Sequence, residues 1–363
     1  VTASDEAHMA HALALAARGL GRTWPNPAVG CVILREGRIL GRGWTQPGGR
    51  PHAERRALDQ AGDARGATAY VTLEPCAHHG QTPPCAGTLI AAGVTRVITA
   101  LTDPDPRVSG KGHAMLRAAG VTVTENILSE QATQLNAGFL KRVTQGLPFV
   151  TLKLATTIDG RIATASGESR WITGPQARRF VHGLRLSHDA VMVGSGTARA
   201  DDPDMTARDI GATHQPVRVL LDRALSHRPD SRLGQTARTH PVWVIHAADA
   251  PAQARQAWQD TGARLLPCPL AQGHLDLTAA LKILAAEGLT RILSEGGGSI
   301  AAALIAAGLV DDLIHLTAGK LIGADGTPAL GPLTLPRLAD APAFRLRARQ
   351  ALGPDALTHW TRI

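Results

Sequence analysis

Pro51-His52-Ala53-Glu54, then Thr72-Leu73-Glu74-Pro75-Cys76 and, after eight intervening residues, Cys85, stand in that order within one short stretch of the chain. One imidazole and two thiolates make a three-ligand set for zinc and leave the fourth tetrahedral position to water. His52 is expected to open a helix, and the two cysteines flank a loop over 77–84. A helix starting near Cys85 places its sulfur beside N-terminal amides, which favours the thiolate. Zinc lowers the pKa of its bound water to about 7. Glu54, two residues from the ligand and not itself a ligand, is placed to shuttle the proton. A closed structural site is the other reading, since His78 and His79 lie in the same loop and can complete a tetrahedron. A Glu so near the ligand has no purpose there, so the centre is expected to be catalytic.

The composition around this stretch is that of a globular protein. At 363 residues the chain exceeds one typical domain of roughly 100–200 residues, so two domains are expected. Hydrophobic residues at 44% and charged residues at 19% exclude a disordered chain, a collagen-like repeat and a disulfide-dense miniprotein. The longest uncharged apolar stretch of the C-terminal half, 296–310, is shorter than the about 20 residues of a membrane span. No membrane partner is expected. The chain opens acidic, Asp5-Glu6, where a secretory signal is basic, so a cytoplasmic setting with reduced thiols is expected. Cys31 lies in an apolar run and reads as a core residue, and Cys268 between prolines suggests no chemistry.

Lys and Arg number 38 against 30 Asp and Glu, a net charge of +8. Such an excess invites a nucleic-acid reading. Only five of those 38 are Lys, aromatics are 3%, and no run of five like charges occurs. Stacking platforms for single strands are therefore poorly supplied. No nucleic-acid partner is expected; a small phosphorylated substrate is.

Strands and helices alternate along the whole chain, which predicts α/β layers. Helical spacing covers 6–19, 52–61 and 112–119, and strands are expected over 28–34, 38–43, 68–73, 94–100 and 121–125. A short helix is expected over 88–92. After Gly146-Leu147-Pro148 the rhythm restarts, with apolar β-branched runs at 149–154, 190–193, 217–221, 242–245, 291–293 and 313–316. Helices are expected between them over 175–186 and 275–286. Domain boundaries of 1–146 and 147–363 follow. Gly194-Ser195-Gly196 is only a fragment of a dinucleotide fingerprint, because Arg199 stands where Gly or Ala is needed. Glu295-Gly296-Gly297-Gly298-Ser299, between a strand and a helix, lets backbone amides approach a phosphate.

The H-x-E…P-C…C order is similar to that of zinc nucleobase deaminases. Those enzymes separate the cysteines by two residues, and the eight found here argue against a plain cytidine or transfer-RNA adenosine deaminase. Longer blocks carry a closer resemblance. They are Thr23-Trp24-Pro25-Asn26-Pro27-Ala28-Val29-Gly30-Cys31, the stretch Thr72 to Cys85, and Asn136-Ala137-Gly138-Phe139. The second half adds Asp159-Gly160-Arg161-Ile162-Ala163, Gly167-Glu168-Ser169-Arg170-Trp171-Ile172-Thr173, Ala200-Asp201-Asp202-Pro203 and Glu295-Gly296-Gly297. Together they resemble the bifunctional riboflavin-biosynthesis deaminase/reductase family over nearly the whole chain.

The resemblance implies an N-terminal cytidine-deaminase-like three-layer α/β/α domain and a C-terminal dihydrofolate-reductase-like α/β domain. It implies zinc-dependent deamination of 2,5-diamino-6-ribosylamino-4(3H)-pyrimidinone 5′-phosphate, then NADPH-dependent reduction of the ribosyl group to ribityl. His52, Cys76 and Cys85 would hold one zinc ion per chain, Glu54 would move the proton, and Asn26 would pair with the pyrimidine edge. In the second half Lys153, Ser169, Arg185, Arg208 and Glu295 would contact substrate, the arginines matched to its phosphate by fork geometry. Ala155, Trp171, Thr197, Asp201 and Gly297 would line the NADPH site, and a homo-oligomer is expected. The family carries Asn where this chain has Asp105, which argues against a phosphate contact there. Two other readings remain: a nucleoside or transfer-RNA deaminase with an appended nucleotide-binding domain, and a zinc-stabilised nucleotide-sensing module. The cysteine spacing and reductase-like blocks oppose the first, and Glu54 opposes the second.

Overall fold

Alternation along the strand β1 (Gly30–Arg35) builds the first sheet: Cys31 and Ile33 face one layer of helices, Val32 and Leu34 the other. The computed structural model describes residues 3–77, 83–105 and 109–363, in two units, Val1–Leu147 and Pro148–Ile363. In the first unit β1 is followed by β2 (Arg38–Trp44), β3 (Thr68–Val71), β4 (Arg96–Thr99) and β5 (Thr122–Thr124), in the sheet order β2-β1-β3-β4-β5. β1 runs antiparallel to both neighbours, and β3, β4 and β5 are parallel. The helices are α1 (Ala3–Ala16), α2 (Ala53–Ala61), α3 (Cys85–Ala91), α4 (Lys111–Ala118), α5 (Ser129–Leu135) and α6 (Ala137–Gln145). α2, α3, α4 and α6 cover one face through Ala57, Leu89, Leu116 and Phe139. α1 and α5 cover the other through Met9, Ala12 and Ala132.

Two glycines bring the α2 layer close enough to matter for the site. A Cβ on Gly41 would stand 2.0 Å from the Ala57 carbonyl oxygen, and one on Gly43 would stand 2.1 Å from that of Ala53. Only a bare backbone lets α2, with His52 and Glu54 at its start, lie flat on β2. α3 begins at Cys85, three residues before the helix expected over 88–92. Pro84 stands at its N-cap, and the Thr88 hydroxyl donates to the Pro84 carbonyl at 3.0 Å.

The loop after β3 is held by one carboxylate. Glu74 is buried; its Oε1 accepts the N–H groups of Gly112 (2.8 Å) and His113 (3.2 Å), and its Oε2 those of Asp103 (3.1 Å) and Gly110 (2.9 Å). Orphan amides of the first turn of α4 are thereby satisfied from two residues before Cys76.

The second unit opens with β6 (Phe149–Thr157), β7 (Arg161–Ala163), α7 (Pro175–Leu186), β8 (Ala190–Gly194), α8 (Ser195–Asp201) and β9 (Val217–Leu221). It continues with α9 (Arg232–Gln235), β10 (Val242–Ala247), α10 (Ala252–Asp260), β11 (Arg264–Cys268), β12 (Leu270–Ala271), β13 (His274–Leu275) and α11 (Leu277–Ala286). Last come β14 (Arg291–Ser294), α12 (Gly298–Ala306), β15 (Asp312–Ala318), β16 (Thr327–Pro328), β17 (Phe344–Leu352) and β18 (Asp355–Arg362). The main sheet has the order β11-β10-β9-β8-β14-β6-β15-β18-β17. It is parallel from β11 to β15, and β18 and β17 extend it antiparallel. Every residue of β8, β9 and β10 is buried, as parallel strands covered on both faces require.

α11 starts at Leu277 rather than 275, because the Asp276 carboxylate caps it by accepting the Ala279 N–H. The hairpin of β17 and β18 was not anticipated, although Phe344, Leu346 and Ala348 alternate with Arg345, Arg347 and Arg349 in a period-two pattern. β17 lies at the sheet edge with most of its residues exposed. Among the described residues no helix is long and apolar enough to cross a membrane.

Buried polar side chains tie the middle of this sheet together. The Asp189 carboxylate accepts the N–H groups of Thr290 (2.6 Å) and Arg291 (2.9 Å), locking the start of β14 beside β8. His188 lies between Thr151 Oγ1 (Nε2, 2.9 Å) and the Leu184 carbonyl (Nδ1, 2.7 Å). Burial, aided by the nearby Arg291 charge, pushes its pKa down to about 4. An unfolded His takes up a proton near pH 6.5, whereas this one resists until about 4, so stability is lost as pH falls through that window. The difference corresponds to roughly 3 kcal/mol. Hydrogen exchange of β6 amides at pH 7 and pH 4.5 should show a smaller loss of protection in His188→Gln than in the unmodified chain; equal losses would mean that His188 is not held neutral.

Candidate functional site

In the first unit the ends of α2, the loop after β3 and the start of α3 meet. His52, Cys76 and Cys85 offer ligand atoms that all lie within 4.8 Å of one another. The imidazole faces both sulfurs through Nδ1, at 3.2 Å from Cys85 and 3.8 Å from Cys76. The Cys85 backbone N–H donates to the Cys76 sulfur at 3.3 Å. Hydrogen bonding from Cys85, with help from His52, draws the Cys76 pKa down to about 4 in spite of burial. The Cys85 thiol is driven upward by its bond to Cys76, by burial and by Glu54. Cys76 thus favours the thiolate beside a Cys85 that keeps its proton, and a divalent cation would take that proton's place. The donor set fits zinc: one imidazole and two thiolates, with a fourth position left to solvent.

Glu54 is buried beside them, and burial raises its pKa from the ordinary carboxyl value. The carboxyl is therefore able to hold a proton at need. Asn26 packs on the segment leading to His52: a Cβ on Gly49, at φ +83°, would stand 1.8 Å from its Nδ2. Asp103 is held up at about pKa 6 chiefly by burial, and its Oδ1 accepts the Asp105 N–H. Asp105 is itself buried. His78 and His79 lie outside the described residues.

The second unit gathers its polar side chains where the sheet order turns back on itself. β14 is inserted between β8 and β6, so the segments after β8 and β14 leave toward opposite parts of the sheet, the place where open α/β sheets bind ligands. Arg185 on α7 grips Glu295 with two bonds, Nε–Oε1 2.6 Å and Nη2–Oε2 3.0 Å. Burial alone would raise Glu295, but the Arg185 charge and bonds hold it at about 2. Lys153 on β6 belongs to the same cluster: burial lowers its pKa, and the charges of Glu295 and Asp201 oppose that.

Other expected residues fall into smaller groups. Thr197 Oγ1 accepts the Gly297 N–H at 2.9 Å, joining the start of α8 to the N-cap of α12. Ala155 packs with Ala177, Val181 and Leu316. Trp171 is exposed; Arg178 lies over its ring at 4.7 Å, and its carbonyl accepts from Lys320. Arg170 donates to the Asp201 carbonyl at 2.5 Å, so the Ser169-Arg170-Trp171 loop reaches the end of α8. Arg208 is exposed and binds Asp204 and Thr206. Glu295, expected on substrate, is engaged with Arg185.

Several residues escaped the sequence reading. Glu74 and Asn136 stand inside the quoted motifs without an assigned role. The Asn136 amide exchanges two bonds with the backbone of Ala28, at 3.0 and 3.1 Å, and so fixes the Pro25-Asn26-Pro27 segment from 108 residues away. Arg218 carried no local signal at all, and Asp204 only its i,i+4 spacing to Arg208.

Comparison with known proteins agrees with this geometry. A family model described as the cytidine and deoxycytidylate deaminase zinc-binding region matches residues 2–101, and one described as the RibD C-terminal domain matches residues 148–358. The chain is 45% identical to the riboflavin biosynthesis protein RibD of Escherichia coli, over 98% of both chains. It is 39% identical to that of Bacillus amyloliquefaciens, over 97% of this chain and 94% of the other. A solved structure of Acinetobacter baumannii RibD superposes with a TM-score of 0.89 at 37% identity, covering 99% of each chain. The diaminohydroxyphosphoribosylaminopyrimidine deaminase/5-amino-6-(5-phosphoribosylamino)uracil reductase of Thermotoga maritima gives a TM-score of 0.87 at 32% identity, again over 99% of each. A cytidine-deaminase-like half followed by a dihydrofolate-reductase-like half is the fold class these likenesses carry. Similarity that runs unbroken through both halves, rather than through the deaminase half alone, makes this chain a member of the RibD family of riboflavin biosynthesis proteins.

Proposed function

We propose that this chain deaminates a phosphorylated diaminopyrimidine in its first unit and reduces the ribosyl group of the product to ribityl in its second. The observation that carries the reading is the His52–Cys76–Cys85 triangle with buried Glu54 beside it. Those three residues would hold zinc, and bound zinc supplies the Lewis acidity that makes water a nucleophile at neutral pH. With zinc held there, Glu54 would accept a proton from the attacking water and return it at the departing amino group, a role suited to a carboxyl whose pKa burial has raised. Asn26 presents an amide to the pyrimidine edge.

In the second unit Arg185, Arg208 and Ser169 would hold substrate, and Lys153 and Glu295 would lie against the ribose. Ala155, Trp171, Thr197, Asp201 and Gly297 would line the NADPH site, with NADPH supplying the reducing equivalent. Gly297 stands at the N-cap of α12, and a helix N-terminus is where a cofactor phosphate would be favoured. Glu295 orients Arg185 through the two-bond contact between them. Lys153 would pass a proton to the opening ring, a role that the lowering of its pKa by burial supports. A cytoplasmic setting, where the four cysteines stay reduced, belongs to the same reading, as does a homo-oligomer, for which β17 offers an unpaired edge.

Two experiments test the reading. Glu54→Gln should lower ammonia release by roughly 10²–10⁴-fold while the zinc content of the purified chain stays unchanged; loss of the metal would make Glu54 structural. Chelation of zinc should abolish ammonia release and leave NADPH oxidation intact when the deaminated phosphoribosylaminouracil is supplied directly. Loss of both activities on chelation would mean that the second unit also needs the metal.

A further inference from the structure

Three arginines converge on one short segment of the second unit, and the Asp204 carboxylate stands between two of them, Arg208 and Arg218. Arg208 Nη1 donates to Asp204 Oδ2 at 2.9 Å and to Thr206 Oγ1 at 3.1 Å. Arg185 Nη1 donates to the Thr206 carbonyl at 2.7 Å. Arg218, on β9, donates to the Asp204 carbonyl at 3.2 Å and lies 3.8 Å from Asp204 Oδ1. The three differ in freedom. The Arg218 side chain is 0% exposed and is held from its other side by Thr236 and by the His240 carbonyl. Arg185 is locked to Glu295. The Arg208 side chain is 47% exposed and held only by Asp204 and Thr206 among its described contacts, while its backbone N–H is fixed to His182 Nδ1 at 3.2 Å.

We propose that Asp204 is a positioning residue that holds the Arg208 guanidinium in the free enzyme and releases it to the phosphate of the incoming substrate, while Arg218 keeps Asp204 in place. The proposal rests on the reading of Arg208 as a phosphate ligand given above. An ion pair whose arginine is exposed and whose carboxylate is half-buried contributes modest net stability, so the exchange costs little. A phosphate dianion is a stronger bidentate partner for guanidinium than one carboxylate. Asp204 is not orphaned when Arg208 leaves, because Arg218 beneath it is buried and has no alternative carboxylate among its described contacts. Asp204 therefore competes with the ligand for Arg208. A ligand without a phosphate cannot displace it, and the pair discriminates against dephosphorylated pyrimidines.

Asp204→Asn keeps an oxygen that accepts from Arg208 but removes the competing charge. In the full chain, with deaminated phosphorylated substrate and NADPH, this variant should lower KM at least about threefold at low salt with kcat unchanged. Inorganic phosphate, used as a competitive inhibitor of the reduction, should bind more tightly by a similar factor, and the gain should shrink at high ionic strength. A purely structural Asp204 would weaken binding when replaced, so a KM or phosphate inhibition constant that rises or stays level overturns the proposal. Because Arg218 grips the backbone carbonyl of residue 204, the segment keeps its anchor; Asp204→Ser serves the same comparison if the Asn variant is unstable. Arg208→Ala separates the two levels. A raised KM in that variant upholds the phosphate-ligand reading whatever Asp204→Asn does, and an unchanged KM removes Arg208 from the site and the proposal with it.

Discussion

The metal centre depends on Glu74, a residue that does not touch it. Buried backbone N–H groups must find acceptors, and the segment from Asp103 to His113 presents four of them to one carboxylate. That carboxylate stands two positions before Cys76, so the first turn of α4 and the loop bearing the ligand are fixed by the same bonds. The second unit uses the device repeatedly. Asp189 takes the amides at the start of β14, Asp159 those of Ile322 and Gly323, and Asp222 that of His227. Candidate site residues in each unit that lie on loops, such as Cys76, border segments whose unpaired amides carboxylates absorb.

The charge balance takes on a different meaning in three dimensions. Net +8 invited a polyanionic partner, yet several arginines serve as internal struts. Arg218 is wholly enclosed by β9 and the carbonyls around it, and burial draws its pKa down to about 10. Arg185 is spent largely on Glu295, and Arg96 reaches inward to Asp5. Arginine suits such work because its planar fork satisfies several acceptors at once while staying charged.

How far the sequence could be read follows from how local each signal is. The zinc ligands and Glu54 occupy a stretch short enough for spacing to imply a shared site. Continuous apolar runs marked β8, β9 and β10 because parallel strands are buried on both faces. β17 was overlooked because its alternation pairs apolar residues with arginines at an exposed edge. α5 and α6 were overlooked too, their helical stretch interrupted at Asn136, whose side chain serves Ala28 instead. Glu74 and Arg218 were beyond reach for another reason: their partners lie in other segments, and nothing in their immediate neighbours announces them. Glu295 was legible as a site residue, but its engagement with Arg185 across 110 positions was not.

The position of β6 in its sheet bears on how the chain is made. β6 is the first strand of the second unit to leave the ribosome, but its two neighbours are β14 and β15: Phe149 pairs with Arg291, and Thr151 with Asp312. Until synthesis passes residue 318 β6 has no complete set of partners, while β8 to β11 can already pair among themselves. Such distant closure makes for slow, late folding. A nascent chain of this protein therefore carries a finished first sheet, a half-built second one and an unpaired apolar strand between them, the state in which aggregation competes with completion.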